Sequence, residues 1–220
     1  MPLERPHVIL NAAMSLDGKI ATRTCESRLS SKRDLKRVHR IRSQVDGIMV
    51  GLRTMLADDP KLTVKYFRDN RPARIIVDSQ AKTPLDSYVV RTASMASTII
   101  AVTTKASRRR VNRLEEAGVR ILVCGKGQLV SLPILMRRLR RLGLRRLLLE
   151  GGGTLNWGML SQKLVDQVSV SVSPRILGGE QAVTLVEGDG ALRIKDAIRL
   201  RLLGVKIYGD ELVLSYRVLS

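Results

Sequence analysis

Short apolar runs alternate with amphipathic segments along most of the chain. The runs are rich in β-branched residues and are bounded by turn residues, which is typical of central strands. The predicted strands are 7–14, 46–51, 73–79, 97–103, 119–125 and 144–150. Between them, apolar residues at helical spacing predict helices over 31–44 and 107–118, and a third helix that opens at Ser131 and Pro133. This alternation predicts an α/β fold.

The last part of the chain has a different pattern. Residues 166–174 alternate as a strand does, and two further strands meet at a tight turn at 208–210, where Gly209 can take a positive φ. An antiparallel hairpin is therefore predicted to close a mixed sheet. Residues 86–96 are predicted to form an ordinary loop. Because no repeat or linker interrupts the pattern, residues 1–220 are predicted to form a single domain.

The composition is that of a folded protein. Apolar residues make up 44% and charged residues 27% of the 220 residues, enough for a core without disulfides or metals. Cys25 and Cys124 have neither C-x-x-C nor framework spacing, so free thiols are predicted. No apolar run approaches the roughly 18 residues of a spanning helix, and the first residues lack a secretory signal pattern. A cytoplasmic protein without a membrane span is expected.

The formal charge of +19 favours anionic ligands. The densest basic cluster, 137–146, accompanies an apolar stripe of Leu135, Met136, Leu139 and Leu142 at helical spacing. Aromatic residues do not interleave these arginines, as they do in proteins that bind single-stranded nucleic acid. A solvated helix face is therefore favoured over a nucleic-acid patch. A nucleic-acid-binding protein driven by its charge is the alternative from another functional class.

The stretch "LLLEGGGTLN", 147–156, places three glycines between a predicted strand and a predicted helix. Such a turn presents backbone N–H groups and the positive end of the helix dipole to an anion. Asn156 stands where a dinucleotide-binding fingerprint has its third glycine, and the stretch lacks the G-K-[ST] of a P-loop. Phosphate binding and a purely structural tight turn both account for the glycines.

Polar clusters follow the ends of predicted strands. Glu150 lies at the edge where open α/β sheets bind ligands, and it suits hydroxyl or amino groups better than phosphate; a structural acid that braces the turn is the alternative. Asp17 lies in a turn with Lys19 that can cover a ligand. Thr54 and Asp58 follow another strand, and capping or sugar-hydroxyl contacts are preferred there to metal binding, because no histidine or third acid is nearby.

Several catalytic signatures are missing from the sequence. It lacks the H-x-E and P-C-x-x-C of zinc deaminases and the G-x-S-x-G nucleophile elbow. His7 and His39 lie in no metal-ligand spacing. No metal site is predicted, and a cofactor is expected to bring its own chemistry.

The motifs "MSLDGKIAT", "VDGIMVG", "TMLADDPKLTV", "RIIVDS", "LLLEGGGTLNWG" and "SVSPRILGG" occur in this order. Together they resemble the reductases of riboflavin biosynthesis: the archaeal and fungal 2,5-diamino-6-ribosylamino-4(3H)-pyrimidinone 5′-phosphate reductases, and the C-terminal domain of the bacterial deaminase/reductase. The resemblance implies a dihydrofolate-reductase-like fold, with a mixed, mainly parallel sheet flanked by helices, and a homodimer. It also implies that NADPH delivers hydride to C1′ of an imine, which reduces the ribosyl group of the substrate to a ribityl chain.

The resemblance also assigns site residues, position by position. On the cofactor side it implies contacts from Thr54, Asp58, Ser79, Gly151, Gly152, Gly153 and Thr154. On the substrate side it implies contacts from Ser27, Arg42, Leu62, Lys65 and Glu150. Lys65 stands where the bacterial domain has arginine, so a point charge replaces a bidentate fork at that phosphate contact.

Protonation of the imine nitrogen makes C1′ electrophilic, and either Glu150 or Asp17 can supply or relay that proton. The sequence does not choose between these two acids. Dihydrofolate reductase is the nearest enzymatic alternative, because it shares the implied fold and cofactor. However, a single phenylalanine and 3% aromatic residues make a poor pterin pocket. Folate also lacks the sugar phosphate that Arg42 and Lys65 are expected to meet.

Overall fold

The structure, a computed structural model, describes residues 5–68 and 70–219. The chain divides into two compact units. The first unit comprises the described residues of Met1–His7 and His39–Leu148. The second unit comprises the described residues of Val8–Val38 and Leu149–Ser220.

Strands and helices alternate in the order that the sequence predicts. The strands are β1 (His7–Ser15), β2 (Gly47–Gly51), β3 (Ala73–Val77), β4 (Thr98–Val102), β5 (Arg120–Val123), β6 (Arg146–Leu149), β7 (Gln167–Ser173), β8 (Leu200–Tyr208) and β9 (Glu211–Val218). The helices are α1 (Lys32–Arg42), α2 (Leu52–Asp58), α3 (Tyr88–Arg91), α4 (Arg108–Glu116), α5 (Leu132–Arg141) and α6 (Gly153–Ser161), with a 3₁₀ turn at Ile194–Asp196. Every predicted strand and helix is present, whereas α2 and α3 were not predicted.

In the first unit, strands lie in the order β5-β4-β3-β2-β6. The pairs β2–β3, β3–β4 and β4–β5 are parallel. Ile75 and Ile76 of β3 pair with Ile99 and Ile100 of β4, and all four side chains are buried. β-branched side chains fit a pleated surface that is covered on both faces. These continuous apolar runs therefore form central strands, as predicted.

Helix α5 confirms the predicted amphipathic helix of the first unit. Leu135, Met136 and Leu139 are buried, and arginines occupy its exposed face. Leu142 belongs to the predicted buried stripe, but this part of the prediction is wrong, because the residue is 40% exposed. The helix ends before Leu142 and the chain reverses at Gly143, whose φ is 88°, so the Leu142 side chain leaves the stripe.

The predicted loop at 86–96 contains the short helix α3, so the prediction is wrong there. Its sequence includes two valines, whose stiff side chains lower helix propensity. Arg74 of β3 holds the turn from outside, because its guanidinium donates to the carbonyl of Thr92 at 2.9 Å and to the carbonyl of Ala96 at 2.7 Å. Tertiary contacts thus override the local preference.

In the second unit, the strand order is β1-β7-β9-β8. β1 and β7 are parallel, whereas β9 is antiparallel to both β7 and β8. The predicted hairpin is confirmed, because Tyr208 pairs with Glu211 across the turn and Gly209 has a φ of 66°. The predicted α/β architecture, mixed and mainly parallel with a C-terminal antiparallel hairpin, is confirmed.

Strand β8 is exposed along nearly its whole length and carries an apolar face. Leu200, Leu202, Val205 and Ile207 are between 43% and 70% exposed. Their partners on β9 form the pairs Leu200–Val218, Leu202–Tyr216, Val205–Leu214 and Ile207–Leu212. Directly paired residues share one face of a sheet. The bulge between Leu202 and Gly204 therefore keeps all four apolar side chains of β8 on one side of the hairpin.

A buried polar network anchors the start of α1 in the second unit. Asp34 is fully buried and forms an ion pair with Arg37, with Nε and Oδ1 2.7 Å apart. Arg37 also donates to Asn11 Oδ1 at 2.8 Å and to Ser169 Oγ at 2.7 Å. The Ser30 hydroxyl donates to Asp34 Oδ2 at 2.7 Å. Because a buried charge is costly unless it is paired, this network fixes the helix against β1 and β7.

The two cysteines are free thiols, as predicted, with Cys25 exposed and Cys124 buried. Burial raises the pKa of the Cys124 thiol. Over the described ranges of the chain, no helix is long and apolar enough to cross a bilayer.

Candidate active site

The predicted site residues are distributed over the two units. The first unit holds Arg42, Thr54, Asp58, Leu62, Lys65 and Ser79. The second unit holds Asp17, Ser27, Glu150, Gly151, Gly152, Gly153 and Thr154. Within the described residues of either unit, no group of three or more His, Cys, Asp or Glu side chains can hold a metal ion.

Helix α2 follows β2 directly and carries Thr54 and Asp58 one turn apart on a shared face. Thr54 is half-buried and Asp58 is exposed. The next residue, Asp59, has a left-handed backbone with φ 37°, and its carboxylate accepts a hydrogen bond from the Tyr88 N–H at 2.9 Å. Asp59 therefore braces the end of the helix, and Thr54 and Asp58 are the polar pair that α2 can offer to a ligand.

Ser79 lies two residues after β3 and is tied to neighbouring loops. Its Oγ accepts a hydrogen bond from the Val130 N–H at 3.0 Å, and its carbonyl accepts from the Thr103 N–H at 3.1 Å. A hydroxyl that accepts through oxygen can still donate its proton to a ligand. The neighbouring Asp78 is buried and accepts from the Thr83 N–H at 2.6 Å and from the Thr83 hydroxyl at 2.8 Å. Asp78 thus braces the turn that presents Ser79.

Two contacts tie the segment containing Leu62 and Lys65 to the end of α1. Arg42 Nη1 donates to the Thr63 carbonyl at 3.0 Å, and the Lys65 N–H donates to His39 Nδ1 at 3.0 Å. These contacts hold the backbone of the segment against the end of α1, where the Arg42 guanidinium meets the Thr63 carbonyl. Leu62 has a φ of 48°, and the whole residue, backbone included, is 2% exposed.

Asp17 is exposed, but its carboxylate is occupied by hydrogen bonds. The Ser15 hydroxyl donates to Oδ1 at 2.6 Å, the Leu177 N–H donates to Oδ1 at 3.0 Å, and the Gly178 N–H donates to Oδ2 at 2.7 Å. These bonds, above all the one from Ser15, lower the pKa of Asp17 to about 2. At neutral pH, Asp17 is therefore an anion that holds the turn after β1.

Ser27 opens an exposed segment that leads into α1. The Leu29 N–H donates to the Ser27 carbonyl at 2.8 Å, and the Leu29 side chain is buried. Ser31 caps α1, because its Oγ accepts from the Asp34 N–H at 3.1 Å. The Ser31 N–H also donates to the buried Glu211 carboxylate at 3.1 Å. These contacts fix the end of the segment that joins α1.

The glycine turn after β6 begins at Glu150, which is half-buried. Gly151 has a φ of 93° and Gly152 a φ of 73°, a region that side chains disfavour. A Cβ at Gly151 would lie 3.5 Å from the amide of Asn156, which is fully buried and donates to the Leu185 carbonyl at 2.8 Å. Backbone conformation is therefore sufficient to explain these two glycines.

Gly153, the first residue of α6, lies against the protein's own chain. A Cβ at Gly153 would lie 2.6 Å from Glu187 Cγ and 2.6 Å from the Thr184 carbonyl oxygen. The Glu187 N–H donates to the Gly153 carbonyl at 3.1 Å, and Glu187 Oε2 accepts from the Thr154 hydroxyl at 3.2 Å. We refer to residues 184–188 as the strap. The strap explains the absence of a side chain at Gly153 without a ligand.

The strap also contacts the turn after β1. The Leu185 N–H donates to the Gly18 carbonyl at 3.1 Å, and Lys19 and Thr184 form an antiparallel bridge. The strap therefore connects two predicted clusters of the second unit, the turn of Asp17 and the glycine turn. Sequence analysis missed the strap because "TLVEG" matches no motif. Its role depends on contacts that are distant along the chain.

Comparison with known proteins gives concordant matches along the chain. The family described as the RibD C-terminal domain matches residues 6–214. The chain is 46% identical to the 2,5-diamino-6-ribosylamino-4(3H)-pyrimidinone 5′-phosphate reductase of Methanothermobacter thermautotrophicus. This match extends over 217 residues, which are 97% of this chain and 99% of that protein. The chain is 38% identical over 223 residues to the protein of the same name from Aquifex aeolicus, which covers 99% of each chain.

Solved structures share the fold at lower sequence identity. RibD of Acinetobacter baumannii, form 2, has a TM-score of 0.84 at 24% identity, covering 99% of this chain and 59% of that chain. The riboflavin biosynthesis reductase Rib7 of Saccharomyces cerevisiae has a TM-score of 0.77 at 22% identity, covering 100% of this chain and 92% of that chain. These likenesses confirm the fold that the sequence resemblance implies.

Proposed function

The chain belongs to the RibD C-terminal domain family, and from this premise we propose that it reduces 2,5-diamino-6-ribosylamino-4(3H)-pyrimidinone 5′-phosphate in riboflavin biosynthesis. The product is the corresponding ribitylamino compound. The observation that carries this proposal is the 46% identity that extends over 99% of a reductase of that name. A single reductase domain over residues 1–220 and a cytoplasmic location are part of the proposal.

NADPH is the proposed cofactor, and when bound it supplies the hydride that C1′ receives. The first turn of α6 suits a phosphate group, because a helix N-terminus favours negative charge. One anionic group already binds there, since the Glu187 carboxylate accepts a hydrogen bond from the Thr154 hydroxyl. Gly151 and Gly152 lead into this turn, and Gly153 is its first residue. In the first unit, Thr54, Asp58 and Ser79 offer hydroxyl and carboxylate groups that suit ribose hydroxyls and amides.

Arg42 and Lys65 are the proposed ligands of the substrate phosphate. The Arg42 guanidinium supports this role, because it already lies on the Thr63 carbonyl, two residues before Lys65, and charge-assisted hydrogen bonds suit a phosphate. Lys65 is exposed and can reorient its ammonium group. Ser27 is proposed to offer a hydroxyl to the sugar. The whole of Leu62 is 2% exposed, so its proposed contact requires this segment to open.

Glu150, not Asp17, is the proposed source of the proton for the imine nitrogen. The Asp17 carboxylate accepts three hydrogen bonds, from Ser15, Leu177 and Gly178, and its pKa of about 2 leaves it without a proton to donate at neutral pH. Glu150 is half-buried at the end of β6, next to the glycine turn. Asp17 is instead proposed to hold the turn that follows β1.

A homodimer is proposed through the apolar face of the β8–β9 hairpin. Leu200, Leu202, Val205 and Ile207 are exposed side by side on one face of β8. An exposed, apolar edge strand normally pairs or is covered. A second copy offers the same self-complementary face, as twofold dimers require.

The arrangement of charge does not favour the nucleic-acid alternative. Neither of the arginine-rich helices, α4 and α5, carries an aromatic side chain on which a base can stack. The dihydrofolate reductase alternative lacks support, because the full-length relatives carry the pyrimidinone reductase name.

The proposed activity is tested by following NADPH absorbance with purified protein and the ribosylaminopyrimidine phosphate. Oxidation is expected only when substrate and enzyme are both present, and more slowly with NADH. Glu150→Gln is expected to lower kcat by about 100-fold or more with NADPH binding unchanged, whereas Asp17→Asn keeps most of kcat. Absence of turnover, in protein that circular dichroism shows to be folded, would overturn the assignment. Nucleic-acid binding that weakens steeply with salt would support the alternative class.

A further inference from the structure

We propose that Glu187 sets the affinity of this protein for its cofactor, as an internal anion that occupies the N-terminus of α6 until the phosphates of the cofactor replace it. This inference rests on the proposed function, because it requires a phosphate-bearing ligand at α6. It concerns the strap, residues 184–188, which contains none of the predicted site residues.

The contacts of Glu187 place its charge at the start of the helix. Its Oε2 accepts a hydrogen bond from the Thr154 hydroxyl at 3.2 Å. A Cβ on Gly153 would lie 2.6 Å from Glu187 Cγ and 2.9 Å from Glu187 Cδ, so the side chain lies along the first residue of α6. The helix has nine residues, long enough for a dipole that favours an anion at this end. The carboxylate therefore stands where a phosphate of the cofactor is proposed to bind.

A carboxylate and a diphosphate compete for this position. Their like charges repel one another, and both accept hydrogen bonds from donors in the first turn, including the Thr154 hydroxyl. Cofactor binding is therefore expected to displace the Glu187 side chain from Thr154. The free energy needed to displace Glu187 from Thr154 lowers the observed affinity for the cofactor.

A buried amide with one unpaired oxygen lies between α6 and the strap. Asn156 is fully buried, and its Nδ2 donates to the Leu185 carbonyl of the strap at 2.8 Å. Within the described part of the chain, Asn156 Oδ1 has no hydrogen-bond partner. A buried acceptor without a donor is unfavourable. The strap is therefore held on α6 in an arrangement that leaves one buried acceptor unpaired, and a shifted strap can bring a backbone N–H to it.

The proposal is tested by Glu187→Gln, which keeps the size of the side chain and an oxygen acceptor for Thr154 but removes the charge. The Kd of NADPH, measured by fluorescence titration at fixed ionic strength, is expected to fall by about three- to tenfold. Asp189→Asn is the matched control, because it removes the same charge two residues away at an exposed position. This control is expected to leave the Kd within about twofold of the wild-type value.

A second measurement needs no cofactor. Inorganic pyrophosphate is added to the purified protein and the thermal midpoint is recorded, and the rise in Tm is expected to be larger for Glu187→Gln than for the wild type or Asp189→Asn. An unchanged or weaker NADPH affinity in Glu187→Gln, with a wild type that binds and turns over, would overturn this inference and leave the proposed function intact. If the wild type neither binds NADPH nor reduces the substrate, the proposed function fails, and the pyrophosphate measurement decides whether Glu187 excludes anions from α6.

Discussion

Glu211 binds Ser31 with both oxygens of its carboxylate. The Ser31 N–H donates to Oε1 at 3.1 Å, and the Ser31 hydroxyl donates to Oε2. Glu211 is 5% exposed and is the first residue of β9, whereas Ser31 immediately precedes α1. The hairpin therefore fixes the segment that carries Ser27, a proposed substrate contact.

Glu211→Gln is expected to destabilise the protein by about 1–3 kcal/mol, because a neutral amide replaces the carboxylate that accepts two charge-assisted hydrogen bonds from Ser31. The KM for the substrate is expected to rise several-fold as Ser27 loses its fixed position, while the Kd of NADPH stays unchanged. Urea unfolding and steady-state kinetics measure these effects. Asp210→Asn is the control, since the neighbouring carboxylate is exposed. Equal unfolding free energies for both variants would contradict the role given to Glu211.

Features of the fold that depend on local sequence patterns could be predicted from the sequence. Apolar runs such as the one containing Ile75 and Ile76 predict buried strands, and Gly209 marks the hairpin turn. The burial of Glu211 could not be predicted from its neighbours in the sequence, because a carboxylate is buried only where donors such as Ser31, which is distant along the chain, satisfy it. Helix α3 was not predicted for the same reason, because it is stabilised by contacts from Arg74 of β3, which is not adjacent in the sequence. Motif resemblance named the candidate site residues, but the strap over Gly153 depends on pairing between residues far apart in sequence.

Arg74 is 1% exposed and serves as a hydrogen-bond hub of the first unit. Its guanidinium donates to the hydroxyls of Thr92 and Thr98, each at 2.6 Å, and to carbonyls that follow α3. Burial lowers the pKa of Arg74. Arg74→Lys is expected to cost about 2–4 kcal/mol, because an ammonium cannot span acceptors that a planar fork reaches.

The comparison that tests this expectation is Arg91→Lys, the same change at an exposed arginine. Chemical denaturation gives the unfolding free energy of both variants. Arg91→Lys is expected to lie within about 0.5 kcal/mol of the wild type. If Arg74→Lys is equally mild, the network around Thr92 and Thr98 does not stabilise the fold.

Gly153→Ala is expected to destabilise the protein by about 1–3 kcal/mol and to release the strap from α6. The added Cβ would lie 2.6 Å from the Thr184 carbonyl oxygen, a backbone atom that can yield only if the strap moves. Limited proteolysis should then cut more rapidly near Glu187. Gly127→Ala is the matched control, because the nearest atom to its added Cβ is 4.0 Å away. Equal cleavage rates for the two variants would argue against close packing of the strap.

Asp17 gives the fold a pH dependence that has a defined sign. Its pKa is lowered from 3.8 to about 2, so the folded state binds its proton less readily than the unfolded chain. The stabilisation is complete above the ordinary pKa of 3.8 and is lost as pH falls towards about 2. Asp17→Asn is therefore expected to lower Tm at neutral pH, with a difference from wild type that shrinks in this acidic window.

Thermal melts across this pH range measure the difference directly, and a carboxyl NMR titration gives the pKa of Asp17. Glu180→Gln is the control, because Glu180 is an exposed acid two residues after Gly178, which donates to Asp17. It is expected to change Tm little at any pH. A difference between Asp17→Asn and wild type that stays constant down to about pH 2 would contradict the proposed hydrogen-bonded carboxylate.

Val205 and Lys206 are neighbours on β8 whose side chains point to opposite faces of the hairpin. If the apolar face forms the dimer, Val205→Asp places a charge in that interface and is expected to raise the dimer Kd by about 100-fold or more. Lys206→Asp introduces the same residue on the other face and is expected to leave the dimer intact. Sedimentation velocity over a range of protein concentrations separates the two outcomes. A monomeric wild type, or dissociation caused only by Lys206→Asp, would show that the apolar face of β8 does not join two copies of the chain.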